Sequence, residues 1–245
     1  VNLNYEVNFM RKSLFTAIST LALSMACACA LAYNPGERTM HLLGQTLNST
    51  KHPVHLVLEK TMDMKDVYKK EAYDALPEAG KKRTNRAIFD EANGIYAERN
   101  TTLDGEGKVI SDYTYFVKNR RWYFIDFVNK TYDDIPEVLG VSKSFTDMMT
   151  GWFNVQPMMG NDPNSGLDFD RLSKANGGLL YFFYEKDSDV WKGYGRNAND
   201  MFKVLELSDV VNKETAFATP PAEYSRVPNA QMRNYSNRLF MGGRK

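Results

Sequence analysis

Residues 109–134 show the clearest pattern of apolar and polar positions in the chain. Two runs, 110–117 and 122–128, are dense in aromatic and β-branched residues, and the polar stretch 118–121 separates them. Such runs fit the pleated surface of a sheet, while the polar stretch has the composition of a hairpin loop. The pattern predicts a β-meander that reverses again near residue 130.

The second strand of this meander is apolar on both faces. Alternation places Trp122 and Phe124 on one side and Tyr123 and Ile125 on the other. A strand with two apolar faces needs two covers. In an antiparallel sheet we expect a helix on one side and, on the other, a curled sheet interior or a bound ligand. The strand therefore predicts a sheet that bends.

The same alternation predicts further strands along the chain. They span residues 54–62, 94–103, 179–185, 189–194 and 201–207.

Helical spacing of apolar residues predicts two helices. The first runs over residues 64–76 and stops at a proline, and the second runs over residues 142–153. The basic stretch 79–84 and the Gly- and Pro-rich stretch 156–178 are predicted to be loops. Together the elements predict an α+β fold, in which a curved antiparallel sheet of about eight strands forms an incomplete barrel with helices packed on its concave side.

The first 32 residues have the pattern of an export signal. Arg11 and Lys12 form a basic start, an apolar stretch follows, and Ala30 and Ala32 form a small-residue cleavage site. The apolar stretch is shorter than the ~20 residues of a spanning helix, so we expect no transmembrane segment after signal removal. The prediction is an exported protein, periplasmic or extracellular, with one domain over residues 33–226 and a flexible basic tail over residues 227–245.

Both cysteines of the chain, Cys27 and Cys29, lie in the predicted signal. The mature protein is therefore expected to lack thiol chemistry, although a lipid anchor on either cysteine is the alternative. The formal net charge is +1. This balance argues against a nucleic-acid partner, while the basic tail leaves peripheral contact with a membrane open.

Two segments resemble the LolA-like carriers of bacterial envelope proteins. One is the hairpin FVKNRRWYFIDFVNKTYDD, and the other is LELSDVVNKETAFATPPAEY near the end of the chain. The resemblance implies an incomplete antiparallel barrel wrapped around helices, with an apolar concavity that holds acyl chains or a hydrophobic part of a partner.

Aromatic and methionine side chains are the candidate ligand contacts. Met and Trp adapt to varied apolar surfaces, so the second predicted helix has one interpretation as a lid over an apolar groove and another as ordinary core packing. Both interpretations stay open for the whole candidate set, which comprises Tyr115, Trp122, Phe124, Met148, Met149, Trp152, Tyr181 and Phe183.

Motifs for catalysis, nucleotides and metals are missing from the sequence. The chain contains no P-loop, no G-x-S-x-G and no dinucleotide-binding fingerprint, and its three histidines lack metal-ligand spacing. We expect a non-catalytic protein without a cofactor or metal. The leading hypothesis is binding of a lipid or lipid-linked group, with another envelope protein as a further partner. The alternative is a structural or interaction module with a fully packed core.

Overall fold

The computed structural model describes residues 33–92, 95–136, 144–150, 157–173 and 177–228. The chain divides into two compact units, Val1–Asn34 and Pro35–Lys245, and every element named below belongs to the second unit. The predicted signal, the exported location and the boundaries at residues 33 and 227 stay predictions.

Twelve strands of the described residues form one sheet. They are β1 Val54–Asp63, β2 Lys82–Ala92, β3 Ile95–Asp104, β4 Val109–Lys118, β5 Arg121–Asp126, β6 Thr131–Pro136, β7 Met158–Asn161, β8 Asp168–Ser173, β9 Leu179–Tyr184, β10 Trp191–Gly195, β11 Met201–Ser208 and β12 Ser225–Arg226. Their order across the sheet is β12-β6-β5-β4-β3-β2-β1-β11-β10-β9-β8-β7. All neighbours are antiparallel except β12 and β6, which are parallel. The sheet is open, because its first and last strands do not pair.

Helices in the described part of the chain are few and short. They are α1 Glu37–His41, which continues into a π-helix at Leu42–Thr46, then α2 Lys70–Asp74, α3 Phe145–Thr150 and α4 Lys213–Ala216; three 3₁₀ turns lie at Met64–Asp66, Glu78–Gly80 and Ala198–Asp200.

The predicted strands 54–62, 94–103, 179–185, 189–194 and 201–207 are confirmed, as is the meander. The prediction of one helix over residues 64–76 is wrong. A 3₁₀ turn and α2 occupy this region, and Val67 and Tyr68 are 59% and 37% exposed, so no apolar helical stripe is buried. The predicted loops at 79–84 and 156–178 are wrong in part, since β2 begins at Lys82 and the later stretch contains β7 and β8.

The packing of one aromatic ring shows that the sheet is curved. Phe145 lies 5.2 Å from Phe89 on β2 and 6.0 and 5.5 Å from Trp191 and Tyr194 on β10, measured between ring centroids. Three strand spacings of about 4.8 Å separate β2 from β10, so rings standing on a flat sheet would be roughly 14 Å apart. The face that carries these rings is therefore concave, which confirms the predicted curved, open, mostly antiparallel sheet.

A large cluster of buried residues, the concave cluster, occupies this face. It unites side chains from β1–β5 and β8–β10 with others from the π-helix and α3. Leu56 and Leu58 on β1 are fully buried at its centre. Alternation puts them on the same face as Phe89, which pairs with Leu56 across the strands.

A second apolar cluster, the convex cluster, lies on the opposite face over β3–β6. Ala97, Phe116 and Ile125 from the sheet are buried there together with Phe217. Residues 211–226, here called the C-terminal segment, provide this cover and include α4. Both faces of β5 are thus covered, one by the curled interior and the other by the C-terminal segment.

Over β7–β10, aromatic side chains of the strands themselves cover the convex face. Phe169, Tyr181 and Phe183 stand opposite glycines of neighbouring strands, in the pairs Phe169–Gly160, Tyr181–Gly195 and Phe183–Gly193. Tyr181 and Phe183 stack at 5.9 Å, and Phe169 meets Tyr181 edge-on at 5.3 Å. We call these three rings the aromatic triplet.

Both edges of the sheet are short. β7 has four residues and lies between Pro157 and Pro163, and β12 has two residues. Proline has no backbone N–H to donate, so neither flank of β7 can extend the hydrogen-bonded ladder at that residue.

Candidate functional site

The aromatic surface predicted from the meander is present on the concave face. Tyr115 pairs with Phe124 and Val117 with Trp122 across β4 and β5. The rings of Tyr113 and Phe124 stack at 5.3 Å, and those of Tyr115 and Trp122 are 5.8 Å apart. Period-two alternation on two paired strands therefore brings these side chains onto one face.

Helix α3 lies against the same cluster. Ser144 Oγ accepts a hydrogen bond from Asp147 N at 2.9 Å, which caps the start of the helix. Phe145 is fully buried, Met149 belongs to the concave cluster, and Met148 packs against it partly buried. Residues 142–143 and 151–153 of the predicted helix lie outside the described residues.

The predicted ligand contacts divide into two groups. Tyr115, Trp122, Phe124 and Met149 belong to the concave cluster, and Met148 packs against it. Tyr181 and Phe183 lie on the convex face in the aromatic triplet, because Phe182 and Tyr184 take the concave positions of β9. The candidate contacts therefore lie on both faces of the sheet, and their role in ligand binding stays a prediction. Trp152 lies outside the described residues.

Glu91 connects the sheet to α3 in the interior. Its Oε1 atom accepts a hydrogen bond from Phe145 N at 2.6 Å, and the residue is 1% exposed. Burial raises the pKa of the Glu91 carboxyl to about 7, although the Phe145 amide and the Ser49 side chain oppose the shift. Its Oε2 atom is buried without a hydrogen-bond partner among the described residues.

Glu98 is a second buried carboxylate on the concave face. Its Oε2 atom accepts hydrogen bonds from the hydroxyls of Tyr96, at 2.6 Å, and of Tyr115, while Asn100 Nδ2 donates to Oε1 at 2.7 Å. Burial raises the pKa of Tyr115 well above its ordinary value, and the nearby Glu98 charge adds to the shift. The Tyr115 hydroxyl therefore stays protonated and donates its hydrogen bond to Glu98.

Side chains from α1 connect that helix to β8 and β9. Asp170 Oδ2 accepts hydrogen bonds from Thr39 N at 3.1 Å and Thr39 Oγ1 at 2.8 Å, and the same hydroxyl lies 2.8 Å from Tyr184 Oη. Arg38 Nη1 lies 3.3 Å from Asp168 Oδ2, and its guanidinium sits 4.6 Å above the Tyr184 ring. These contacts position α1 and the π-helix that follows it.

The carboxyl of Asp168 is kept ionised by this arrangement. Partial burial works to raise its pKa, but hydrogen bonds from Asn161, the Asp187 amide and Arg38 outweigh burial and lower it. Asp168 therefore pairs with Arg38 as a charged partner over the neutral pH range.

A cavity of about 270 Å³ opens between the π-helix and the start of α3. Leu43 and Leu47 line it and also belong to the concave cluster, so part of the cavity wall is the outer surface of that cluster. Met40, 56% exposed, stands at its mouth. Gly44 also lines it, and a Cβ added there would meet no atom within 4 Å.

Sequence reasoning missed the buried polar residues of this site. Glu91 escaped because β2 was not predicted, although Ala87, Phe89 and Glu91 alternate in the way that a half-buried strand requires. The spacing of Tyr96, Glu98 and Asn100 would also have placed three polar groups on one face. Arg38 gave no signal, since its partners lie more than a hundred residues away.

The described residues contain no group of three or more His, Cys, Asp or Glu side chains arranged to hold a metal ion. None of the helices in the described ranges combines the length and the apolar character needed to span a bilayer.

No protein-family model and no curated protein sequence matches this chain. Among solved structures, the chain is similar to an uncharacterized conserved protein from Thermus thermophilus, with 7% identity and a TM-score of 0.39 over 78% of this chain and 99% of that one. It is also similar to PNGF-II, with 9% identity and a TM-score of 0.32 over 77% of this chain and 33% of that one. At these scores neither similarity indicates a function, and the LolA-like resemblance stays a prediction.

Proposed function

We propose that this protein is an exported, non-catalytic carrier that binds a hydrophobic ligand, a lipid or lipid-linked group, in the concavity of its curved sheet. The observation that carries the proposal is the cavity between the π-helix and α3, whose apolar wall continues through Leu43 and Leu47 into the concave cluster. An alkyl chain that enters an apolar cavity removes its own surface and that of the cavity wall from water, which favours binding.

The helices that wall the cavity form the adjustable part of this carrier. α1 with its π-helix and α3 are short, and helices of this length depend on packing for their stability. Either can shift against the concave face without breaking a strand pair, which would enlarge the cavity for a longer chain. Helices packed inside a curved sheet are also what the LolA-like resemblance implies.

Buried charges favour a ligand without an anionic headgroup. Four carboxyl groups are buried, Glu91, Glu98, Asp133 and Asp170, of which Glu91, with its pKa of about 7, is only partly ionised at neutral pH; Arg38 is the one buried basic residue among those described. An anionic headgroup on the same face would lie in a field of its own sign. Glu91 Oε2 and Trp122 Nε1 are buried without partners among the described residues, and a neutral polar headgroup could bond to such atoms.

The first test is mass spectrometry of organic extracts of the purified protein, with titration by a fluorescent monoacylglycerol and a fluorescent fatty acid. We expect a copurified lipid and tighter binding of the neutral probe than of the acid. A lipid-free protein that binds neither probe would overturn the carrier.

Substitution at Gly44 locates the site. Gly44→Leu is expected to abolish probe binding, because the new side chain fills the cavity, while the free energy of unfolding rises by up to about 1 kcal/mol since leucine favours helix over glycine. Ala72→Leu, at an exposed position of α2, is the matched control and should bind normally. Unchanged binding by Gly44→Leu would show that the ligand lies elsewhere.

A packed structural module is the second candidate, and the size of the cavity favours it. Ligand pockets usually exceed about 300 Å³, and this cavity is slightly smaller at about 270 Å³. The C-terminal segment already covers the second face of β5, so that strand does not require a ligand. For such a module, Gly44→Leu would change stability alone and no lipid would copurify.

A further inference from the structure

A second cavity, of about 390 Å³, lies on the convex face between the C-terminal segment and the strands β5 and β6. Tyr123, Tyr132 and Asp134 line it from the sheet, and Pro221, Tyr224 and Arg226 line it from the C-terminal segment. The sheet separates it from the concave cluster, so its contents are independent of the proposed carrier site.

Two of its tyrosine rings are held by other rings. Tyr123 stacks on Phe116 at 5.0 Å with 13° between the planes, and Tyr224 meets Phe127 edge-on at 6.4 Å. Both partners belong to the convex cluster or pack against it. The rings therefore present fixed apolar faces beside the cavity, which lowers the entropy lost when a ligand stacks on them.

The polar groups of the cavity balance in charge. Arg226 Nε lies 2.8 Å from Asp134 Oδ1, and Arg121 Nε lies 2.6 Å from Asp134 Oδ2. Arg226 and Asp134 are the charged residues of the lining, one guanidinium and one carboxylate, so the lining carries no net charge that would select a charged ligand.

Donors and acceptors nevertheless remain in the cavity. The Arg226 side chain is 55% exposed, so N–H groups not used by Asp134 face water. The described residues provide no hydrogen-bond partner for the hydroxyls of Tyr123 and Tyr132. A ligand that both donates and accepts hydrogen bonds at several positions fits these groups.

We propose that this cavity binds a neutral sugar ring. The apolar C–H face of a pyranose stacks on a tyrosine ring, and its hydroxyls both donate and accept, as the phenol, guanidinium and carboxylate groups here require. A proline-rich peptide also docks on tyrosines, but its proline nitrogens carry no hydrogen to donate, so it would use the polar groups less fully.

The test follows amide chemical shifts of the purified protein during titration with neutral saccharides. Methyl β-glucopyranoside, methyl N-acetyl-β-glucosaminide and maltotriose are the probes, at up to millimolar concentrations. A galacturonic acid trimer and a proline-rich peptide are added separately. We expect saturable shifts in β5, β6 and the C-terminal segment with at least one neutral sugar, and no gain in affinity for the acidic one.

Variants identify the contacts. Tyr132→Ala and Arg226→Ala should each weaken sugar binding about tenfold, the size of a moderate contact residue. Tyr132→Phe keeps the ring and the fold and should retain most of the stacking, and Tyr68→Ala, at an exposed tyrosine elsewhere, should change nothing.

Three results would overturn the proposal. They are no shift with any neutral sugar, equal binding by wild type, Tyr132→Ala and Arg226→Ala, or saturable binding of the peptide alone. Lipid binding by the concave face is unaffected by any of these results, so the two proposals fail separately.

Discussion

The two ends of the convex face are shielded from solvent in different ways. Over β3–β6, a separate piece of chain, the C-terminal segment, buries the apolar side chains of the sheet. Over β7–β10, the aromatic triplet lies opposite glycines and covers the backbone with rings from the strands themselves. The cover over β3–β6 requires an additional segment to be ordered and leaves a cavity beneath it, whereas the cover over β7–β10 requires no additional segment. Apolar strand faces therefore predict that a cover exists without specifying its source.

Removal of Phe217 tests the cover over β3–β6. Its ring is buried and meets Phe116 edge-on at 6.3 Å. We expect Phe217→Ala to lower the free energy of unfolding by about 4 kcal/mol, because a buried aromatic side chain is lost and a cavity remains. Urea unfolding measures the change. Val210→Ala, 73% exposed just before the segment, should change stability by less than about 0.5 kcal/mol. A loss under about 1 kcal/mol for Phe217→Ala would mean that the segment is not an essential cover.

A methyl group at Gly193 tests the close strand packing beneath the aromatic triplet, over β7–β10. Gly193 has φ +149°, and a Cβ there would lie 2.0 Å from the carbonyl oxygen of Phe202. We expect Gly193→Ala to destabilise the protein by about 3 kcal/mol, since both the backbone conformation and the close approach of the strands oppose it.

Gly107→Ala is the matched control for this substitution. Gly107 also has a positive φ, +82°, but open space surrounds its Cβ position, so about 1 kcal/mol is expected. Thermal unfolding followed by circular dichroism compares the two variants. Equal losses would show that the close strand approach does not matter at this end.

Glu91 lies on the concave face, opposite both covers of the convex face. A substitution there should change the stability of the whole protein without acting on either cover directly. Its folded pKa of about 7 exceeds its ordinary value of 4.5. The folded state therefore disfavours the ionised carboxylate. The contribution of Glu91 to the free energy of unfolding is fully present below pH 4.5 and is lost as the pH rises to 7.

Glu91→Gln should remove this pH dependence. At pH 8 we expect the variant to be more stable than the wild type by about 2 kcal/mol; the shift alone corresponds to roughly 3 kcal/mol, and the buried amide of glutamine offsets part of it. At pH 4 the advantage should vanish. Urea unfolding at both pH values measures the difference, and protection of the C-terminal segment against hydrogen exchange should rise only as much as global stability does. A variant less stable than the wild type at pH 8 would contradict the raised pKa.

Local patterns predicted most strands and one face of the site. β1, β4, β5 and β11 follow from alternation alone, and the same alternation placed Tyr115 and Phe124 together. β2 was missed because its first half, beginning at Lys82, is basic and partly exposed, which resembles a loop when its partners are unknown. β7 and β8 were missed because Pro163 and neighbouring glycines indicate a turn, and here the turn joins two strands.

The remaining parts depend on contacts between distant residues. Every position of LLYFFY in β9 is apolar, so period two defines two faces without showing which one is concave, and the sequence does not reveal that Tyr181 and Phe183 lie on the convex face. The pairing of Arg38 with Asp168 and of Glu91 with Phe145 brings together residues far apart in sequence. No local signal encodes such pairs.

The margins of the sheet restrict how copies of the molecule can associate. At one margin, β12 covers two residues of β6 and leaves only the short stretch Asp133–Pro136 uncovered; at the other, β7 has four residues and lies between prolines. A neighbouring chain therefore finds few main-chain groups to pair with. Concentrated solutions should therefore resist fibre growth through strand addition, even though the twelve-stranded sheet never closes.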